Sequence, residues 1–441
     1  MLAGRIKTES CGRVCVKVNK SDLNMPVYTD DYCDVDYETL SDADFNTVSM
    51  LPDIFQDACK APVPSKFNGG DIKLATVRIL RFKAFSGVLI FVSLAHGVVD
   101  GHGQLAFMNR WSEISKALQG STNPFAALNY PERLFAHDRS INSTYKYDGT
   151  DELDPDTCKA LSVPQFLSKW LAWTSLNTRG RLINAFVSLD PPKRCYFRIR
   201  KQTVESLRNT VQDHAFDSNL RYSHNDIITA LATTAIVHAM RKHEIKLESR
   251  PIPSALRQIF GLRHTKESEK VMASFAVDIR PRIDNTEATD YMGNLIVVKD
   301  VKIPLEFVQL GVKPKALSAV ASGIRQAVNS MSKRYIGQYS TLLNKCTDGY
   351  LRAILNDSSL RYGVFVTNHT RFGHYTVDFG AGIPSLVRPC TLAFPNIVFI
   401  MPCHPDTDAY EFAMPLTSAV RKNIVQDKSW MQLVEKYSFD V

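Results

Sequence analysis

The spacing of apolar positions changes several times along the chain, and each change marks an element. Leu74 to Phe82 (LATVRILRF) alternates apolar and polar residues, the period of two of a half-buried strand. Gly87 to Leu94 (GVLIFVSL) is apolar almost throughout, which predicts a central strand covered on both faces. Further on, Phe107, Trp111, Ile114 and Leu118 recur at helical spacing, with Leu105 and Met108 on the same side. That pattern predicts a helix with one apolar face. The unit is strand, turn, helix, and the turn holds AHGVVDGHG, Ala95 to Gly103.

From Asn123 to Pro164 the chain is rich in Pro, Asp, Ser, Asn and Tyr without a period, so a loop or insertion is expected. After LDPPKR, Leu189 to Arg194, regular patterning resumes with CYFRIR as a strand and a helix starting near Val204. In YSHNDIITALATTAIVHAMRKH, Ser223 stands three before Asp226, a helix-start signature. An apolar face follows through Ile227, Ala230, Leu231, Thr234 and Val237. Near the end, LRYGVFVTNHT, HYTVDFGAGIP and NIVFIMPC read as strands of a sheet, bounded by Gly, Pro and Asn. The class is α/β. A chain of 441 residues exceeds one ordinary core. Two domains, 1–188 and 197–441, joined by a crossover over 189–196, are expected.

Composition adds little to this picture, since 44% hydrophobic and 22% charged residues describe an ordinary globular protein. The net charge of +8 is spread along the chain, and neither a nucleic-acid-binding signature nor zinc-finger spacing occurs. This favours a small phosphorylated ligand over nucleic acid. Lys193, Arg194, Arg198, Arg200 and Lys201 form the densest basic stretch. Arg198 and Arg200 share a strand face there and are candidates for phosphate contact. Nine cysteines without a CxxC pair suit reduced thiols in a cytoplasmic protein. The longest apolar run, Phe85 to Val99, is interrupted by Ser86, Ser93 and His96 and is too short for a membrane span. The acidic segment Asp30 to Asp44 carries a D-x-D without neighbouring ligands, so it reads as surface and no metal is expected.

His96 sits where a core strand ends, the usual placement for reactive groups in α/β folds. Gly97, Gly101 and Gly103 permit a tight turn and close approach of a substrate. An imidazole with an ordinary pKa of about 6.5 can take a proton from a hydroxyl or amine, a role worth roughly 10²–10⁴ in rate. An isolated H-x-x-x-D recurs by chance; here the strand before it and the helix behind it supply context. His102, His369 and His374 are further titratable groups near the two glycine-rich stretches, each expected to be structural.

With its strand and helix, A-H-x-x-x-D-G-x-G resembles the first signature of the BAHD acyltransferases, H-x-x-x-D-G, on His96, Asp100 and Gly101. DFGAG, Asp378 to Gly382, resembles their second signature, D-F-G-W-G, with Ala381 in place of tryptophan. SHNDIITAL, and VDIRPRI followed by YMGN, resemble two intervening landmarks in the same order. The likeness is to the divergent fungal, trichothecene acetyltransferase-like branch. It implies two chloramphenicol-acetyltransferase-like domains, mixed sheets flanked by helices, with a channel at their interface. It also implies acyl-CoA as co-substrate, no permanently bound cofactor, a small-molecule alcohol or amine of secondary metabolism as acceptor, and a monomer.

By the same resemblance His96 is the general base, and Asp100 pairs with Arg280 to brace the turn with Gly101. Asp378 and Gly380 shape the CoA channel. Asn294 holds either the acyl carbonyl or the turn. MLAGRI resembles a segment that in the family follows an opening strand and helix, which implies a chain that starts late. Two other readings stay open. One is a condensation-type transferase using carrier-protein substrates, against which Ala95 stands where that group has a second histidine. The other is a relative that binds without turnover.

Overall fold

The computed structural model describes residues 2–8, 14–42, 73–119, 190, 192–215, 217–248, 270–283, 288–289, 291–345, 363–389 and 395–439. The loop expected over Asn123 to Pro164 lies outside them. Two short strands, β1 (Arg5–Thr8) and β2 (Val14–Lys17), pair as an antiparallel ribbon. A three-stranded sheet follows, made of β3 (Val27–Tyr32), β4 (Ala75–Arg81) and β5 (Val88–Leu94) in that spatial order. Helix α1 (Tyr37–Asp42) lies between β3 and β4 in sequence, and helix α2 (Gly101–Gln119) follows β5 across the His96 turn.

The second sheet has seven strands in the order β12-β6-β11-β10-β9-β7-β8. They are β6 (Lys193–Arg200), β7 (Lys270–Asp278), β8 (Ile296–Pro304), β9 (Gly363–Asn368), β10 (Ile397–Pro402), β11 (Ala409–Leu416) and β12 (Glu435–Phe439). β9 runs parallel to both β10 and β7, and the remaining pairings are antiparallel, so the sheet is mixed. Helices α3 (Lys201–Gln212), α4 (His224–Glu248), α5 (Pro314–Asn329) and α7 (Ser418–Val425) supply most of the core against one face of this sheet, where Phe197, Val366, Ile400 and Phe412 are buried. Helix α6 (Lys333–Lys345) follows α5, and its Ile336 joins a smaller core with Ile279, Leu295 and Val297.

Several expectations change. Among the described residues β5 pairs only with β4 and stands at the edge of its sheet, not at its centre, and Val88 is 47% exposed. Its apolar run does not report two covered faces. Helix α4 is buried on every side from Asp226 to Val237, beyond the single face expected, because α3, α5 and α7 surround it and β9 lies beneath. Thr229 and Thr233, which lie off that face, are inside as well as Thr234 on it. The segment HYTVDFGAGIP forms a short 3-10 turn, His374–Thr376, and then an irregular loop in place of a strand. Leu118, assigned to the apolar face of α2, is exposed. The helix expected near Val204 begins at Lys201. β6 starts at Lys193, inside the segment read as a crossover. No helix among the described residues is long and apolar enough to cross a membrane.

Candidate active site

The turn after β5 is built so that its apolar residues go in and His96 goes out. Ala95 donates its N–H to Leu74 O (2.8 Å), and its carbonyl accepts from Val98 N (2.8 Å) and Val99 N (3.2 Å). Val98 and Val99 are buried with Leu74 and Met292, whereas His96 and Gly97 at the apex are exposed. Burial of the two valines therefore fixes a reverse turn whose apex faces solvent.

Asp100 holds the other end. It is 2% exposed and makes four contacts. Oδ1 accepts from Gly103 N (2.9 Å) and from Arg280 Nη2 (3.1 Å), and Oδ2 accepts from Leu295 N (2.9 Å) and lies 2.9 Å from Arg280 Nη1. The bond to Gly103 makes Asp100 the N-cap of α2, satisfying an otherwise orphan donor of the first turn. The D-G-H-G stretch before an apolar helix carried that capping signal; sequence reasoning did not use it.

Arg280, buried in turn, donates through Nη2 to Tyr291 O (3.0 Å) and Gly293 O (2.7 Å), and through Nη1 to Asp278 Oδ1 (3.0 Å). Asn294 donates to His96 O at 2.8 Å, so it grips the His96 turn itself. His102 continues the network, 4.0 Å from Asp278 Oδ2 and 3.2 Å from Thr289 O. The glycines have separate reasons. A Cβ on Gly103 would stand 2.0 Å from Met292 O, and one on Gly101 would stand 2.7 Å from the Phe372 ring and 3.4 Å from His369. Both positions need hydrogen in place of a side chain.

The DFGAG loop is organised by one carboxylate. Asp378 Oδ1 accepts from Gly380 N (2.8 Å) and Gly382 N (2.9 Å), and both glycines have positive φ, +99° and +97°. The D-x-G-x-G spacing thus encodes a turn that L side chains rarely adopt. These amides, Gly380 first, together with Lys116 hold the Asp378 carboxyl below its usual range, against the opposing effect of burial. Ala381, between the glycines, is exposed.

This loop rests on α2. Lys116 Nζ lies 3.4 Å from Asp378 Oδ2, Gln119 Nε2 donates to Phe379 O (2.9 Å), Trp111 meets Phe379 edge-on at 4.6 Å, and Thr376 Oγ1 bonds Asn109 Oδ1 at 3.2 Å. One helix therefore links the two stretches that sequence reading singled out.

Two histidines approach from the seven-stranded sheet. His369 follows β9, stacks on His374 at 5.6 Å, and is flanked by Phe372 (4.7 Å) and Phe399 (5.9 Å). Burial, reinforced by the charges of His374 and His96, depresses the His369 pKa to about 3, and burial alone depresses that of His374 to about 4. Both favour the neutral form near pH 7. Arg198 and Arg200 stand on β6, three strands from β9; Arg200 Nε bonds Glu435 Oε1 at 3.1 Å, and Arg198 reaches the Cys403 thiol just past β10.

Comparison with known proteins agrees with the geometry. Residues 257–431 match the Transferase family. The chain is 23% identical over 329 residues to omega-hydroxypalmitate O-feruloyl transferase of Arabidopsis thaliana, spanning 73% of this chain and 57% of that protein. It is 22% identical over 421 residues to a hydroxycinnamoyltransferase of Narcissus pseudonarcissus, spanning 94% and 80%. TRI101 of F. graminearum, solved with coenzyme A and T-2 mycotoxin, superposes with a TM-score of 0.69 at 17% identity, covering 100% of this chain and 88% of that one. The likeness is to BAHD acyltransferases. The fold is the chloramphenicol-acetyltransferase-like arrangement of that group, with mixed sheets and flanking helices.

Proposed function

We propose that this chain moves an acyl group from acyl-CoA to a hydroxyl or amine of a small molecule, with His96 as general base. The observation that carries the reading is an exposed imidazole at the apex of a turn whose other end is locked by a buried Asp100–Arg280 pair. Such a group is held in place yet open to a reactant, which is what proton abstraction in a bound complex needs. The acceptor's proton passes to the imidazole as its oxygen or nitrogen attacks the thioester carbonyl. The tetrahedral intermediate collapses, and the departing CoA thiolate takes that proton back. No covalent acyl-enzyme is required, and the sequence has no G-x-S-x-G elbow to form one.

Asp100, Gly101, Arg280 and Asn294 act by positioning the turn. Asp378 and Gly380 shape the loop that borders the CoA channel. Acyl-CoA is a co-substrate. The partly exposed rings of Phe372, Phe399, His369 and His374 give the acceptor side a wall of neutral aromatic character. That TRI101 was solved with coenzyme A and T-2 mycotoxin supports the pairing of a thioester donor with a small acceptor.

The test is release of CoA thiol from acetyl- and hydroxycinnamoyl-CoA against a panel of alcohols and amines. His96→Ala should lower kcat/KM by roughly 10²–10⁴ without moving Tm, since the side chain is exposed. Turnover undiminished by that substitution would sink the assignment.

A further inference from the structure

Acyl transfer through His96 leaves a second imidazole, that of His369, with no part in the chemical step. His369 is anchored by its own N–H, which bonds Ile400 O at 2.8 Å and prolongs the β9–β10 pairing by one residue. Its ring lies against Gly101 in the catalytic turn, where the missing side chain leaves it room. Nε2 shares a hydrogen bond with Thr367 Oγ1 at 3.1 Å. Nδ1 makes no hydrogen bond among the described residues. A threonine hydroxyl that donates to Nε2 leaves the ring proton on Nδ1, where it has a donor to offer.

We propose that His369 is a second catalytic residue, whose Nδ1–H donates to the carbonyl oxygen of the thioester while the acceptor attacks. The inference rests on the acyl-transfer reading and adds a residue to it. As the carbon–oxygen or carbon–nitrogen bond forms, the carbonyl π pair moves onto oxygen; His96 holds the acceptor's proton and the His369 N–H meets the new negative charge. Collapse restores the carbonyl, expels CoA sulfur and returns the proton to it from His96. His369 gives up no proton at any stage. Its neutrality matters, because a cationic neighbour would oppose protonation of His96 within the same step, whereas a neutral imidazole donor stabilises the oxyanion without that penalty.

His369→Leu, His369→Asn and Thr367→Val test this in the full chain. Loss of one oxyanion donor should lower kcat by roughly 10²–10³ in His369→Leu, with both KM values within about threefold of wild type. His369→Asn, which keeps an N–H, should recover part of that loss, and Thr367→Val should fall between. The acid limb of the kcat–pH profile should stay in place in all three, since His369 does not titrate there. A kcat unchanged in His369→Leu, a loss confined to the acceptor KM, or a shifted acid limb would each overturn the role of His369 while leaving the acyl-transfer reading intact. A wild-type chain without acyl-CoA turnover would remove the reading beneath it, a separate result.

Discussion

Asp100 and Asp378 each stand just ahead of closely spaced glycines, and the structure uses them in opposite ways. Asp100 is sealed, and three of its four contacts reach Arg280 and Leu295, far along the chain. Asp378 is 30% exposed; it spends one oxygen on amides two and four residues away and turns the other toward the surface residue Lys116. The first carboxylate closes the tertiary structure around the His96 turn. The second folds its own loop and fastens it to α2. Similar local strings thus sit in different energetic regimes, which only their partners reveal.

The comparison breaks most visibly at Asp100. Asp100→Ala leaves a buried guanidinium facing an empty place, and one-sided removal from such a pair costs about 3–5 kcal/mol. Chemical denaturation should show that loss. A shift below about 1 kcal/mol, the range of exposed pairs, would erase the distinction drawn here.

Acid should reveal an intermediate effect and separate both carboxylates from the imidazoles. Unfolded histidines take up protons near the ordinary 6.5, but native His374 and His369 resist until about 4 and about 3. Within that window the unfolded chain binds more protons, so stability is whole above about 6.5 and declines as pH falls toward 4. His369→Leu combined with His374→Phe should flatten that slope in urea midpoints measured from pH 7 to pH 4. The smallest effect belongs to the loop. Lys116→Gln should leave Tm unchanged and raise the acyl-CoA KM slightly, and moderate salt should abolish the difference because both charges are partly solvated.

What could be read beforehand follows the reach of the interactions. β4, the turn and α2 were legible because alternation, glycines and helical spacing are local. β5 misled because an apolar run is compatible with an edge strand, and α4 because threonine and alanine can be buried as readily as they can face water. The Asp100–Arg280 contact was expected only through resemblance, since nothing in the intervening residues announces it. The capping role of Asp100 was within reach of pattern reading. The approach of His369 to the turn was not: it depends on the order β10-β9-β7, which places the end of β9 beside a turn from another sheet.

The contact between Gly103 and the Met292 carbonyl has a mechanical consequence. With no Cβ as a spacer, helix and backbone touch directly, and Arg280 and Asn294 clamp the same seam. Around His96 the molecule behaves as a vice with its jaws already shut, so the floor beneath the imidazole has no slack to give.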